Sequence, residues 1–461
     1  MIDYFKNNKF DIFPLVFPVG EKVEFCINST AKRKIISEDI TLKLVRIDAG
    51  SPKDEFFIEN GKKIDFEIDE SGTIKFDFLA ELEGEHFVRI FKGEERVDQL
   101  SVYAVDGELA KRIPLRGDFH VHTTGSDGAE DPQITCANYR RHGYDFMFVT
   151  DHYNYYSSLD AIAFYKGVNI ALNIMPGEEV HVPGTGVHIV NAGGLFSVNG
   201  LLPIKTNYSD YKGELSLRRF DSSVNPPDIY KMEDYWAEID DIEKGLKNGE
   251  NAIPETVDAK AYAACLWAFD KIKKADGLAI FAHPYWICDA FNVPENLTKY
   301  MLKNHPFDAF EVLGGENYFA QNGFQTAIYY DEYLKGRVHP IVGSTDSHGS
   351  TSENRNWDIC STIVFAKANQ RQEIISAVKD KFSVAVDTIS KEYRIVGEFR
   401  FIKYASFLLE RYFPIHDKQA YLDGEITRQY ALGNATKEEV ESLAKRADKL
   451  IEKYIRLKND V

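Results

Sequence analysis

The chain has 461 residues, with 55 basic and 72 acidic side chains for a formal charge of -17, and it is 44% hydrophobic and 13% aromatic. That is enough apolar material for two or three globular domains, and it excludes a disordered or collagen-like chain. The acidic balance excludes a broad nucleic-acid surface, which needs a basic face to meet phosphates. Cys26, Cys136, Cys265, Cys288 and Cys360 are odd in number and scattered, so neither a disulfide scaffold nor a cysteine zinc knot is expected. The first residues, with Asp3, Lys6, Lys9 and Asp11, lack the unbroken apolar run of a secretion signal, and no later run reaches membrane-span length. A cytoplasmic protein without a membrane segment is the expectation.

From Lys22 to Val105 the pattern has period two, as in Lys22-Val23-Glu24-Phe25, Ile40 to Leu44, Ile64 to Ile68, Ile74 to Phe78, Phe87 to Ile90 and Leu100 to Tyr103. Turn signals such as Glu59-Asn60-Gly61 and Glu70-Ser71-Gly72 separate these runs, so residues 1–112 are predicted to form an antiparallel β-sandwich. It holds no catalytic constellation. Its readings are a packing partner for the next domain or a carbohydrate-binding or docking module.

Near Lys111-Arg112-Ile113-Pro114 the rhythm changes to short apolar runs alternating with helical segments such as Pro132 to Arg141, Val257 to Lys274, Gln321 to Lys335 and Gln370 to Lys379. Repeated β-then-α units over 113–391 predict a parallel sheet in a closed or partly closed barrel. The turn-rich stretch from about 196 to 255 interrupts that rhythm and reads as a lid or a surface excursion. From 392 to 461 helical patterns return, and Thr436-Lys437-Glu438-Glu439 is a capping box opening an amphipathic helix to about Arg456.

The chemistry gathers in the middle of the chain. In His120-Val121-His122 two imidazoles two residues apart share one face of an extended strand, and Asp127 follows in a Gly/Ser/Asp turn. An isolated H-x-H is as often a hydrogen-bonded pair as a metal site, but the placement recurs. His152 follows the run Phe146 to Val149, Glu178 and Glu179 follow Asn173 to Met175, His188 follows Val187, His283 follows Leu278 to Phe281, and Asp346 and His348 follow Ile341-Val342. Six of the twelve histidines share this strand-end position, where parallel α/β folds place their sites, so a shared metal centre is predicted.

These motifs, H-x-H-T with S-D-G, T-D-H, P-G-x-E, the lone His188, A-H-P and G-S-T-D-S-H, span 117 to 350. In that order the sequence resembles the PHP (polymerase and histidinol phosphatase) metallohydrolases, within them the carbaryl hydrolase-like branch. The resemblance implies a distorted TIM-like (βα)7 barrel, and two or three divalent ions (Zn, Mn or Fe). It implies a first metal at His120, His122, Glu179 and Asp346, and a second, bridged by Glu179, at His188 and His283. The third falls to Asp127, His152 and His348, with Asp127 where some relatives carry a histidine. Strand alternation lets only one of Glu178 and Glu179 face the ions, and the motif alignment favours Glu179.

Asp118 and Asp151 could each orient an imidazole or cap a turn, and Glu311 could be a buried partner for a ligand. Arg355, Arg218 and His181 are candidate substrate contacts, against readings as surface residues. A bridged pair of cations gives hydroxide from water at neutral pH, so the Glu179-bridged pair with Asp346 and His348 is the expected catalytic apparatus. Phosphoesterase action on a small molecule is the leading reading. A carboxylic or carbamic ester or amide hydrolase comes next, and a glycan-binding protein with a vestigial barrel last. The oligomeric state has no sequence signal.

Overall fold

The computed structural model describes residues 10–29, 39–48, 61–207, 214–248, 252–315, 319–351, 360–388 and 394–458. Arg355 and the turn at Glu59-Asn60 lie outside these residues. The chain divides into two compact units, Met1–Ile113 with Phe399–Gln419 and Lys445–Val461, and Pro114–Glu398 with Ala420–Ala444. Helices placed together by the sequence pattern after 392 are thus shared between the units.

In the first unit the period-two runs form two sheets, one ordered Phe10–Phe13, Lys22–Ser29, Ile74–Leu79, Glu67–Ile68 and the other Val16–Pro18, Glu95–Val105, Gly84–Lys92, Ile40–Arg46, Lys62–Ile64. Pairing is antiparallel except where Val16–Pro18 runs parallel to Tyr103–Val105. Alternation aims Phe25 and Phe76 inward from one sheet and Phe17 from the other. Phe17 and Phe25 meet edge to face with centroids 4.9 Å apart, and Phe25 stacks on Phe76 at 5.3 Å.

The second unit carries two halves of the same design. Ile113–Asp118, Phe146–Phe148 and Asn173–Met175 are parallel neighbours joined through helices Pro132–Arg141 and Tyr156–Phe164. Leu278–Phe281, Ala309–Leu313 and Ile341–Gly343 are parallel neighbours joined through Glu295–Asn304 and Phe319–Leu334. Asp131 precedes Pro132, the residue that fits a first helical turn because its missing N–H has no partner there anyway. Asp258 caps Ala259–Lys274 by accepting from Lys260 N and Ala261 N, both at 3.0 Å.

Of the closed or partly closed barrel expected, the ladders of the described residues show no full closure, and the sheets are not wholly parallel. Among the described residues the regular strands make a six-stranded and a five-stranded sheet, each with antiparallel members. One reason is visible in the chain: the eight residues between Val180 and Ile189 are too few for a parallel crossover, which needs roughly a dozen, so Gly177–Val180 and Ile189–Ala192 pair as a hairpin. Two isolated parallel bridges, Val121 to Ser347 and His152 to Glu179, stitch the sheets together beyond their strand ends. The stretch read as turn-rich holds a sixteen-residue helix, Met232–Lys247, whose Tyr235 and Ile239 are buried and which packs on Ala259–Lys274. No helix among the described residues is long and apolar enough to cross a membrane.

Candidate metal centre

The bridges fall where the sequence placed its donors. Asp346 N donates to His120 O at 2.9 Å, His122 N to Ser347 O at 2.9 Å, and Glu179 N to Asp151 O at 3.2 Å, so the loops after three strands and the strand Gly177–Val180 are tied at one mouth. Gly128 is required there: a Cβ would lie 2.6 Å from the carbonyl carbon of His122, and the chain must fold back onto His122 to bring Asp127 round. Asp346 itself is held at a positive φ of 49°, an uncommon conformation for a residue with a side chain.

Glu179 sits at the centre, fully buried. Its Oε1 lies 2.8 Å from His188 Nδ1, 3.4 Å from His283 Nε2 and 3.5 Å from His120 Nε2. Asp346 Oδ1 lies 2.9 Å from His122 Nε2 and 3.3 Å from His120 Nε2. Towards the rim, Asp127 is 3.4 Å from His348 Nε2, 3.6 Å from His152 Nε2 and 3.9 Å from His122 Nδ1. The neighbouring Glu178 points the other way: it accepts from Ser197 Oγ at 2.7 Å, Asn191 Nδ2 at 3.0 Å and Val198 N. Strand alternation thus gives one carboxylate to the cluster and the other to the fold.

Three of the rings are turned to offer Nε2, whereas His188 faces Glu179 with Nδ1. His120 Nδ1 is 3.1 Å from Glu311 Oε2, His122 Nδ1 is 3.3 Å from Ser126 Oγ, and His348 Nδ1 is 2.9 Å from Asp346 O. A hydrogen bond at one ring nitrogen fixes the tautomer and frees the other for a ligand. Asp118 and Asp151 do not touch an imidazole. Asp118 accepts from His120 N and Thr345 N, both at 3.1 Å, and Thr345 Oγ1 at 2.6 Å. Asp151 accepts from Thr123 N at 2.7 Å and from the hydroxyls of Thr123, Ser126 and Ser157. They fix the loops that carry the donors.

Burial and charge set the protonation. Burial opposes ionisation of Glu179, but His152, His188 and His120 overcome it and hold the carboxyl well below its usual range. Asp346 is likewise held low, with burial again outweighed, here by His120 and His122. Burial lowers His122 and His188 to about 4, leaving their lone pairs free at neutral pH. Burial drives Asp118 the other way, to about 7.

Buried anions amid nitrogen lone pairs demand positive charge. His120 Nε2, both oxygens of Glu179, His188 Nδ1 and both ring nitrogens of His283 are buried without a well-directed hydrogen bond. Groups of donors within 4.8 Å of one another are His120, His122 and Glu179; Glu179, His188 and His283; and His122, Asp127, His152 and His348. Imidazole and carboxylate without thiolate suit divalent zinc, manganese or iron. The residues present fit such ions.

Of the candidate substrate contacts, Arg218 is buried within the inserted segment and donates through Nη1 to Gly200 O at 3.2 Å. His181 is no surface residue: its Nε2 lies 2.9 Å from His152 Nδ1. Sequence reading also passed over Asn199, whose Nδ2 donates to Glu179 O at 2.8 Å, and Trp286, whose ring centroid is 5.9 Å from that of His283. The A-H-P motif pointed close to Trp286, whereas nothing local marked Asn199.

No family model matches the chain, and no curated protein does. Solved structures do overlap it. One is a two-domain protein from Bacteroides vulgatus containing a predicted PHP-like metal-dependent phosphoesterase, at 16% identity and TM-score 0.38 over 60% of this chain and 65% of that one, just under two thirds of its length. A protein from Bifidobacterium adolescentis described as a metal-dependent phosphoesterase overlaps at 17% identity and TM-score 0.32, over 52% of this chain and 89% of that one. An amidohydrolase from Chromobacterium violaceum, with bound sulfate and no metal, overlaps at 15% identity and TM-score 0.29, over 52% and 89%. All three are distant in sequence and in superposition.

Proposed function

We propose that the chain is a metal-dependent hydrolase of the PHP type, acting on a phosphoester of a small molecule. The observation that carries this reading is the convergence of imidazole and carboxylate donors on the buried Glu179, with lone pairs that no protein hydrogen bond uses. His120, His122, Glu179 and Asp346 would hold one cation, and His188 and His283 with Glu179 a second. His152, Asp127 and His348 would serve a third, nearer the rim. Such cations supply an activated water and polarise the bond under attack.

The protein's own part is positioning and proton traffic. Glu311 keeps His120 in one tautomer, and the Asp118 and Asp151 networks hold the loops rigid before substrate arrives. Asp127 and His348 are the most exposed of the donors, with side chains 37% and 35% open, so substrate meets the cluster on their side. Burial opposes a charge on His348, yet its bond to Asp127 and the charge of Asp346 raise it to about 9. Where no cation sits between His348 and Asp127, His348 Nε2 on the open side is placed to pass a proton to the leaving oxygen. The two bridges at the mouth support reading the unit as a distorted barrel.

A carboxylic or carbamic ester or amide hydrolase is the second reading. It is favoured by Arg218, whose Nη1 is engaged by the carbonyl oxygens of Gly200 and Pro227 within the inserted segment. Protein stripped of metal and reloaded with Mn or Zn should release phosphate from small phosphomonoesters. Turnover of aryl esters without phosphate release would move the assignment to the second reading, and hydrolysis of neither would end both.

A further inference from the structure

The two oxygens of Glu179 face two different sets of histidines. Around Oε1 stand His120, His188 and His283, at 3.5, 2.8 and 3.4 Å. Around Oε2 stand His122 Nε2 at 3.7 Å, His152 Nδ1 in close contact, and His181 Nε2 at 3.5 Å. The sets match in number and in donor type, and His181 completes the second.

We propose that His181 is a metal ligand: with His152 and Glu179 Oε2 it holds a cation next to the position of His188, whose ring centroid is 4.3 Å from that of His181, and this site takes His152 from the rim group of Asp127 and His348. This rests on the reading that the cluster binds divalent ions, and adds a tenth side chain to it.

Four observations carry it. His181 stands two residues after Glu179, so at the end of a strand the two side chains share a face, as His120 and His122 do. Asn199 locks that alternation, donating to Glu179 O at 2.8 Å and accepting from His181 N at 3.1 Å. Tyr153 stacks on the His181 ring, centroids 4.5 Å apart and planes 22° off parallel, which fixes where Nε2 points. Finally, His152, Glu179 and His181 each bring a ligand atom within 4.8 Å of the others. Ligands bonded at ~2.0–2.2 Å to one ion lie roughly 2.8–3.6 Å apart between neighbours in tetrahedral or octahedral arrangements. The 2.9 Å between His152 Nδ1 and His181 Nε2 and the 3.5 Å from His181 to Glu179 fall within that spacing, while His152 Nδ1 and Glu179 Oε2 stand closer than it and must part to admit an ion.

A rival role is that His181 merely accepts a hydrogen bond from His152 Nδ1, steering that ring. The two differ in what glutamine can replace. An amide oxygen at the place of Nε2 still accepts an N–H but is a poor substitute for imidazole on zinc, manganese or cobalt.

The test is metal binding by the full chain, stripped with chelator and titrated with Co(II) and Mn(II), with metal counted by atomic emission and circular dichroism recorded for each variant. For His181→Ala and His181→Gln alike, the affinity of one cation should fall at least about tenfold, and the Co(II) absorption bands should change. Unchanged binding and spectrum in both variants would overturn the proposal, as would restoration by His181→Gln. A wild-type chain binding less than one ion would overturn it together with the metal-centre reading. Wild-type protein that binds the ions and hydrolyses nothing removes only the hydrolase.

Discussion

Both units bury histidine, and they treat it in opposite ways. In the sheet-rich unit His86 is 4% exposed, its Nδ1 is 3.1 Å from Gly84 O, and its ring lies against Phe78 at 5.3 Å and Phe17 at 6.3 Å. It is a core residue that happens to be polar, satisfied by backbone and aromatic contact. His120 and His283 of the other unit are as buried, but they face ionised carboxylates and keep nitrogens that no hydrogen bond claims. His339 refines the contrast. Both of its ring nitrogens also lack a hydrogen bond, yet its ring neighbours are His305 and Phe307. An unclaimed lone pair is a site signal only where several converge on a carboxylate.

The sharpest way to break the comparison is Glu179→Gln. Losing the charge shared by both histidine sets should cost cation binding and lower hydrolysis at least about a thousandfold, about 4 kcal/mol of transition-state stabilisation. Steady-state rates with metal counts on the same sample check it. Glu311→Ala releases the His120 ring without removing a donor, so one cation should bind about ten- to a hundredfold more weakly, and Glu311→Gln should recover part of that. Calorimetric titration reads both.

His348 gives the pH dependence. Its value in the folded, metal-free protein is about 9, raised above the ordinary 6.5 despite burial. A raised histidine favours the folded state fully below about 6.5, and that contribution fades as pH rises through about 9. Denaturant unfolding of stripped protein should therefore show stability falling over that window. The bond to Asp127 is the main cause of that rise, so Asp127→Asn should flatten the trend. The smallest effect belongs to the control: His339→Leu should leave the metal count unchanged and alter stability by no more than about 1 kcal/mol, since it removes an unpaired polar group. Loss of a cation there would blur the contrast drawn above.

The site was more legible in the sequence than the fold around it. Period two alone placed His120 with His122 and separated Glu179 from Glu178, because alternation in a strand leaves little freedom. The same rule, applied to Glu179-Val180-His181, would have put His181 in the cluster instead of among substrate contacts. The expectation of a parallel sheet fails where connection length outweighs pattern, at the short link from Val180 to Ile189. Helix Met232–Lys247 was hidden by the polar and acidic residues on its open face, although Tyr235, Ile239, Ile242 and Leu246 recur at helical spacing. Supporting residues such as Asn199, bonded to Glu179, and Ser197, bonded to Glu178, had no local signature, since a long-range contact decides their role.

The most direct measurement is anomalous diffraction from crystals of the full chain grown with Mn(II), collected where manganese scatters anomalously. The account predicts at least two peaks flanking the Glu179 carboxylate, each within bonding distance of imidazole nitrogens from His120, His122, His188 or His283. A map with no peak beside Glu179, in protein otherwise well ordered, would contradict it.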